Sequence, residues 1–285
     1  MTDHIERFGA STLQHGPHND RVYLMHLDSG DLPGIVDHIE SLAATAGYGK
    51  IFAKVPLPLE RAFTDAGFEA EALIPPSTAT DGGGLVFVSR FLREERSVAL
   101  DQPQITGCLE TARAKAGGPR PAGLPAGTTL APCGVDEADE IASIYATVFE
   151  SYPFPIHDPA HVREGMLGDT VYYGVRQGKT WIAAAAAEKD PALGLVEMTD
   201  FATLPAHRGQ GLAQALLERM TRDVCGTGIH LAYTIARATA VGMNVTFARC
   251  GYRFAGTLTN NTQIDGGFES MNVWYHYLDA APLQA

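Results

Sequence analysis

The chain has 285 residues, 45% of them hydrophobic, and its 21 basic against 33 acidic side chains leave a net charge of −12. This length accommodates about two domains with real cores, and the composition excludes disorder as a description of the whole. The acidic surplus argues against a sequence-independent nucleic-acid binder, which needs Lys and Arg to neutralise phosphates.

Cys108, Cys133, Cys225 and Cys250 are widely spaced and form no CxxC pair, so reduced thiols in a cytoplasm are expected rather than a disulfide scaffold. The polar start MTDHIERFGASTLQHGPHND has no apolar segment of the kind a signal peptide carries. No run approaches the roughly 18 apolar residues of a membrane span. A soluble protein without membrane or nucleic-acid partners is expected, and a homodimer is left open.

In chain order, Arg21–Leu27 reads as a strand, Leu32–Ala46 as a helix ended by Gly47-Tyr48-Gly49, and Lys50–Val55 as a second strand. A short helix at Leu59–Ala66 closes at Gly67, and two strands follow at Phe68–Ile74 and Leu85–Leu92, joined through Gly82-Gly83-Gly84. Asp101–Glu110 allows a helical turn. The Pro-, Gly- and Ala-rich stretch 114–127 has the composition of a linker, so the expected division is an N-terminal domain over 1–113 and a C-terminal domain over 128–285. In the second half, a helix is expected at Asp136–Glu150, with acidic residues at its start. Ser151–Pro159 (SYPFPIHDP) has too many prolines for a helix interior. Strands are expected at Thr170–Arg176, Thr180–Glu188 and Leu195–Leu204, then a helix at Leu212–Val224 and a strand at Ile229–Ala236. A helix at Gly242–Cys250 precedes a final strand pair, Arg253–Leu258 and Glu269–Leu278. Five alanines at Ala183–Ala187 favour helix by propensity, but between two turn signals they are too few for one. The fold class is therefore α/β, an α+β arrangement with a mixed sheet.

The pattern F-x-x-x-G-[FY] occurs twice, at Phe63–Phe68 and Phe247–Tyr252, each time after a strand–helix unit and before two strands. Either this is a common helix ending, or the first domain is a degenerate half-copy of the second.

The segment Glu197–Gln214, EMTDFATLPAHRGQGLAQ, carries the clearest chemistry. A strand ends at Leu204-Pro205, and Arg208-Gly209-Gln210-Gly211-Leu212-Ala213 opens an amphipathic helix. Successive backbone N–H groups at a helix start suit a pyrophosphate, glycines let phosphate approach the backbone, and Arg208 adds a guanidinium. A dinucleotide-binding Rossmann turn is the rival, but a third glycine is missing and no ribose-binding acid follows about 20 residues later.

The order strand, L-P-x-x-R-G-x-G-x-A, helix resembles the acetyl-CoA-binding motif of the GNAT acetyltransferases, [QR]-x-x-G-x-[GA], and the elements of residues 128–278 follow that family's order. SYPFP (Ser151–Pro155), EMTDFATLPAHRG (Glu197–Gly209), YTIARA (Tyr233–Ala238), GMN (Gly242–Asn244) and NNT…ESMNVWY (ending at Tyr275) resemble one narrower group. That group comprises the β-lysine acetyltransferases, which act on the ε-amino group of 3,6-diaminohexanoate to make an acetylated osmolyte downstream of a lysine 2,3-aminomutase. The resemblance implies acetyl-CoA as cosubstrate, no metal and a GNAT fold for the second domain; the half-copy alternative for the repeated pattern would make the first domain a degenerate half of that fold.

Amine acetylation needs a base for the ammonium, donors for the developing oxyanion and a route for the thiolate. The resemblance implies Glu197 as base, six residues before Thr203. Asp200 is second choice, because strand alternation turns it to the other face unless a bulge intervenes. Backbone amides along Ala202, Thr203 and Leu204 are the implied oxyanion donors. Cofactor contacts are carried onto Arg208, Gly209, Gln210, Gly211, Leu212, Ala213, Asn244 and Phe247. Phe247 stands where many family members have a proton-donating tyrosine, so the acid is unassigned among Cys250, Tyr252 and Tyr233. Glu150, Tyr152, Phe154, Asn260, Asn261, Glu269 and Asn272 are candidate substrate contacts, although Asn260-Asn261 also suits a turn and Phe154 suits packing. His157 and His161 have i,i+4 spacing, but Pro159 between them argues against a metal pair. Acetylation of another small amine, polyamine or peptide amine is an alternative, as is a non-catalytic acyl-CoA sensor.

Overall fold

A computed structural model describes residues 3–77, 83–118, 123–264 and 266–278. Its elements run β1 (His4–Phe8), β2 (Ser11–Gly16), β3 (Arg21–His26), α1 (Gly34–Ala46), β4 (Lys50–Pro56), α2 (Glu60–Thr64), β5 (Glu69–Ile74), β6 (Leu85–Phe91) and α3 (Gln102–Ala114). Then follow β7 (Thr128–Pro132), α4 (Ala138–Val148), α5 (Pro159–Leu167), β8 (Thr170–Gln177), β9 (Thr180–Asp190), β10 (Leu195–Thr203), α6 (Leu212–Val224), β11 (Leu231–Arg237), α7 (Val241–Arg249), β12 (Arg253–Ile264) and β13 (Gly267–Tyr277).

The chain divides into two units, Met1–Gln102 with Ala255–Val273, and Pro103–Phe254 with Trp274–Ala285. The boundary thus differs from the expected linker at 114–127, of which 119–122 lie outside the described residues. The physical reason is that α3 is a full helix whose Leu109 and Ala112 pack into the second unit's core, while β12 pairs with β5 at Gly256↔Ala72.

In the first unit the strand order is β1-β2-β3-β4-β6-β5, with β12 beside β5. The β1–β2 hairpin turns at Gly9, with φ 59°, and its polar sequence concealed it from periodicity. Helix α1 joins β3 to the parallel β4 and packs Ile35, Ile39 and Ala43 against Leu13, Val22, Leu24, Ile51, Ala53, Val86 and Val88. The alternate residues of the same strands carry a buried polar network. Lys50 is fully buried, and its Nζ donates to Glu71 Oε2 at 2.7 Å and to the Thr259 carbonyl at 2.8 Å. Ser89 also donates to Glu71, whose Oε1 accepts the Thr259 N–H at 2.6 Å. Burial, opposed by Glu71, brings the Lys50 ammonium down to about 8.

In the second unit the order is β11-β10-β9-β8-β7, antiparallel except for β10 and β11. The five alanines do form a strand, each fully buried within β9. Ala183, Ala185 and Ala187 lie under Leu212, Leu216 and Met220 of α6, and Ala184 and Ala186 under Ile141 and Tyr145 of α4. Small side chains let helices approach both faces, and tertiary packing overrides propensity. Helix α5 was not foreseen; Asp158 caps it by accepting the Ala160 N–H, and Pro159 occupies its first turn. No helix among the described residues is long and apolar enough to cross a membrane.

The repeated F-x-x-x-G-[FY] pattern is the same structure twice. Phe68 N–H bonds the Phe63 carbonyl at 3.1 Å and Tyr252 N–H that of Phe247 at 3.0 Å, across Gly67 and Gly251 with φ of 82° and 84°. The ring pairs Phe63–Phe68 and Phe247–Tyr252 are both edge-to-face. The wider order, a hairpin strand, a helix, a parallel strand, a short helix and two strands, also recurs from β3 to β6 and from β10 to β13.

Candidate active site

Strand β10 lies antiparallel to β9, with Glu197 opposite Glu188 and Thr199 opposite Ala186; the register then slips, so that the next pair is Ala202 with Ala184. Asp200 and Phe201 of β10 therefore face the single Ala185 of β9, which is a β-bulge. Asp200 sits in it with φ 56°, a left-handed conformation that Asp tolerates better than most residues. Its carboxylate lies on the face that simple alternation would deny it. Oδ1 accepts the Tyr152 hydroxyl at 2.7 Å and the Thr199 hydroxyl at 3.3 Å.

This face is covered by α4 and α5. Ala184, Ala186 and Ala202 pack there with Tyr145 and Tyr172, and with half-buried Tyr152 and Phe154. Period-2 geometry puts Glu197, Thr199 and Glu188 on the same side. Tyr233, opposite Glu197 in the parallel β11, donates its hydroxyl to Glu197 Oε2 at 2.9 Å. Burial raises the Asp200 carboxyl, with Tyr152, Thr199 and His161 acting in the other direction. Burial and the Asp200 charge together raise the Tyr145, Tyr152 and Tyr172 hydroxyls, so these phenols remain protonated at neutral pH. Sequence reading found Glu197, Asp200 and Tyr152 but not Glu188, Thr199 or Tyr172, whose relation to them depends on strand register.

Strands β10 and β11 pair only from Leu195↔Leu231 to Glu197↔Tyr233 and then part. The Leu204 N–H donates to the Ile182 carbonyl at 3.0 Å. Antiparallel alternation sends the Ala202 N–H to β9 in the same way and turns the Thr203 N–H toward the gap. Of the three amides considered as oxyanion donors, Thr203 alone has that direction. Its carbonyl accepts Arg208 Nε at 3.3 Å. Beyond it Gly209 and Gly211 have φ of 77° and 78°, and a Cβ on Gly209 would meet open space. Among the described residues, the N–H groups of Gly209, Gln210, Gly211, Leu212 and Ala213 donate to no protein acceptor. A row of free amides at a helix start, beside the exposed Arg208, fits the pyrophosphate of coenzyme A.

Other sequence candidates have structural partners. Asn244 is fully buried; its Nδ2 donates to the carbonyls of Arg237 and Ala240, and its Oδ1 accepts the Trp274 indole N–H at 2.8 Å. Phe247 is buried edge-on against Phe201 and Tyr252. Tyr252 faces Thr221 in the core under α6, away from the Glu197 face. Glu150 is exposed. Asn260, Asn261, Glu269 and Asn272 belong to the first unit. There Asn260, with φ 43°, donates to the Val98 carbonyl at 2.9 Å, Thr257 donates to Asn272 at 2.7 Å, and Asn261 is buried with its carbonyl on Arg21. His157 precedes α5 and His161 lies within it. No cluster of metal-ligating side chains occurs among the described residues.

The acetyltransferase (GNAT) family matches residues 138–252. A beta-lysine N(6)-acetyltransferase from Methanococcus maripaludis is 32% identical over 265 residues, covering 93% of this chain and 95% of its own. Another protein of that name, from Methanosarcina mazei, is 37% identical over 155 residues, 54% of this chain and 57% of its own. Among solved structures, the ribosomal-protein-S18-alanine N-acetyltransferase of Escherichia coli covers 55% of this chain and 98% of its own, with 16% identity and a TM-score of 0.48. With its expected turn and strand order in place and a relative matched over nearly the whole length, the chain belongs to the GNAT family of acetyl-CoA-dependent amine N-acetyltransferases.

Proposed function

We propose that the enzyme acetylates the ε-amino group of β-lysine, 3,6-diaminohexanoate, in the cytoplasm, yielding a compatible solute. The observation that carries this reading is the near full-length similarity to a protein named for that substrate. A sheet face bearing Glu188, Glu197 and Asp200 supports it, since carboxylates suit an amine with two positive charges.

Acetyl-CoA, when bound, supplies the acetyl group and leaves as the thiol. Glu197 takes the ammonium proton, directly or through a water, and the Tyr233 hydroxyl orients the carboxylate for it. The Thr203 N–H, turned toward the gap between β10 and β11, would donate to the acyl oxygen as negative charge develops there. The amides of Gly209 to Ala213 and the Arg208 guanidinium hold the pyrophosphate against the chain's overall negative field. Phe247 cannot protonate the thiolate, and no side chain is assigned that step.

Thiol release from acetyl-CoA is to be measured with β-lysine, α-lysine, spermidine and a lysine peptide, the product being located by mass spectrometry. Turnover highest with β-lysine, and N6 as the acetylated atom, is expected. Turnover highest with a polyamine or peptide overturns the substrate. Coenzyme A binding without turnover on any amine identifies a sensor instead.

A further inference from the structure

Glu197 and Asp200 differ in what surrounds them, and the difference points to a division of labour. Glu197 lies at the point where β10 and β11 part, beside the strand edge that leads to the Gly209–Gly211 turn. Asp200 lies three residues on, under α4 and α5, and is only 6% exposed. Its Oδ1 is held by Tyr152 and Thr199, whereas Oδ2 accepts no hydrogen bond among the described residues and yet is not sealed from solvent. A carboxylate that is more than nine-tenths buried, oriented through one oxygen and open at the other, is a receptor for a cation. A left-handed residue within a bulge is also an expensive way to aim a side chain. Glu188 adds negative charge nearby, felt by both Tyr152 and Tyr172.

We infer that Asp200, positioned by the Tyr152 hydroxyl, binds the second, non-reacting ammonium of the substrate and so makes the enzyme selective for diamines. This rests on the acetyl-transfer reading with Glu197 as base. The spacing is compatible. The two nitrogens of β-lysine are separated by four carbons and span about 6 Å when extended, while two to three strand steps between Glu197 and the bulge advance about 7–10 Å. Burial raises the Asp200 carboxyl while no cation is present, and an ammonium on Oδ2 favours the ionised form. Tyr152 is a positioning residue in this scheme, because it acts on the substrate through Asp200.

The test compares each diamine with its counterpart lacking the second amino group: β-lysine and α-lysine against 6-aminohexanoate, and 1,5-diaminopentane against pentylamine. kcat and KM are measured for the wild type, Asp200→Asn and Tyr152→Phe. Asparagine tolerates the left-handed conformation, and thermal unfolding confirms that the variants fold. The expected result is a wild-type preference for the diamine that falls about 10- to 100-fold in Asp200→Asn, through KM rather than kcat. In Tyr152→Phe it falls less, about 3- to 10-fold. A preference unchanged in Asp200→Asn overturns the inference, as does a wild type that never prefers the diamine. Loss of kcat on both members of a pair overturns it differently, by making Asp200 the base. A wild type that prefers diamines other than β-lysine refutes only the substrate proposed above, whereas one inert toward every amine removes both readings.

Discussion

Replacing Lys50 by Met tests how the first unit holds β12, the strand that carries Asn260 and Asn261. The Lys50 side chain is wholly buried and that of Glu71 is 8% exposed, so the substitution leaves a nearly buried carboxylate without its cation. Breaking such a pair costs about 3–5 kcal/mol. Glu71 would keep the Ser89 hydroxyl and the Thr259 N–H, which places the expected loss at the lower end, about 3 kcal/mol. The further change Glu71→Gln removes the stranded charge and should restore about 2 kcal/mol of that. The two tryptophans, Trp181 and Trp274, lie in the second unit, so indole fluorescence is the wrong probe. Hydrogen exchange of the β4 and β6 amides in increasing urea reads the first unit directly.

The pair also has a pH signature of definite sign. Lys50 titrates near 8 when folded and near 10.4 when unfolded, so between these values the unfolded chain holds a proton that the folded one has released. Wild-type stability therefore rises with pH across that window, by at most about 1.4 kcal/mol per pH unit. Lys50→Met lacks the rise, and its deficit against the wild type widens from pH 8 to 10. A variant within about 0.5 kcal/mol of the wild type, or a deficit independent of pH, refutes the reasoning.

Glu197→Gln is expected to lower kcat by about 10²- to 10³-fold and to move the rate upward with pH as free amine accumulates; an unchanged pH–rate profile removes Glu197 as base. Gly211→Val forces a β-branched residue to φ 78° at the amide turn, and calorimetry should show coenzyme A binding weakened about tenfold or more. Ala185→Leu inserts three carbons between β9 and α6 at a fully buried position. A loss of about 1–3 kcal/mol is expected, read by tryptophan fluorescence during urea unfolding. Calorimetry should also find one coenzyme A per chain rather than two. The turn before α1 offers Asp28 and Asp31, the latter accepting the Ala10 and Ser11 N–H groups, where the turn before α6 offers Arg208 and free amides.

That contrast shows how the two halves of the molecule share a plan and differ in chemistry. In both, a parallel strand pair is joined by a helix and followed by the same glycine-ended short helix. Only the second has glycines at positive φ immediately before its crossover helix. The repeated six-residue pattern was visible in the sequence because an αL glycine and two aromatic rings leave a local signature. The glycine turn before α6 was legible too, since Arg-Gly-Gln-Gly is a local motif. The β1–β2 hairpin and α5 were not, because polar strands and a nine-residue helix opened by Asp-Pro carry little periodicity.

The site divides along the same line. Glu197, Arg208 and the glycines could be read from one strand and one turn, each within eleven residues of the next. Asp200 could be named only as second choice, because its face is set by the pairing of β10 with β9 and not by its own sequence. Counting by twos from Glu197 sends Asp200 into the core under α6, where its charge would meet Val196 and Met198 at a cost of several kcal/mol. The bulge resolves that conflict by inserting one unpaired residue, and the same insertion returns Ala202 to the α4 side and Thr203 to the other. A single irregularity therefore sets both the second carboxylate and the direction of the amide that faces the gap. Any substitution that regularised β10, by deleting one residue between Thr199 and Ala202, would be expected to remove both together and leave the glycine turn intact.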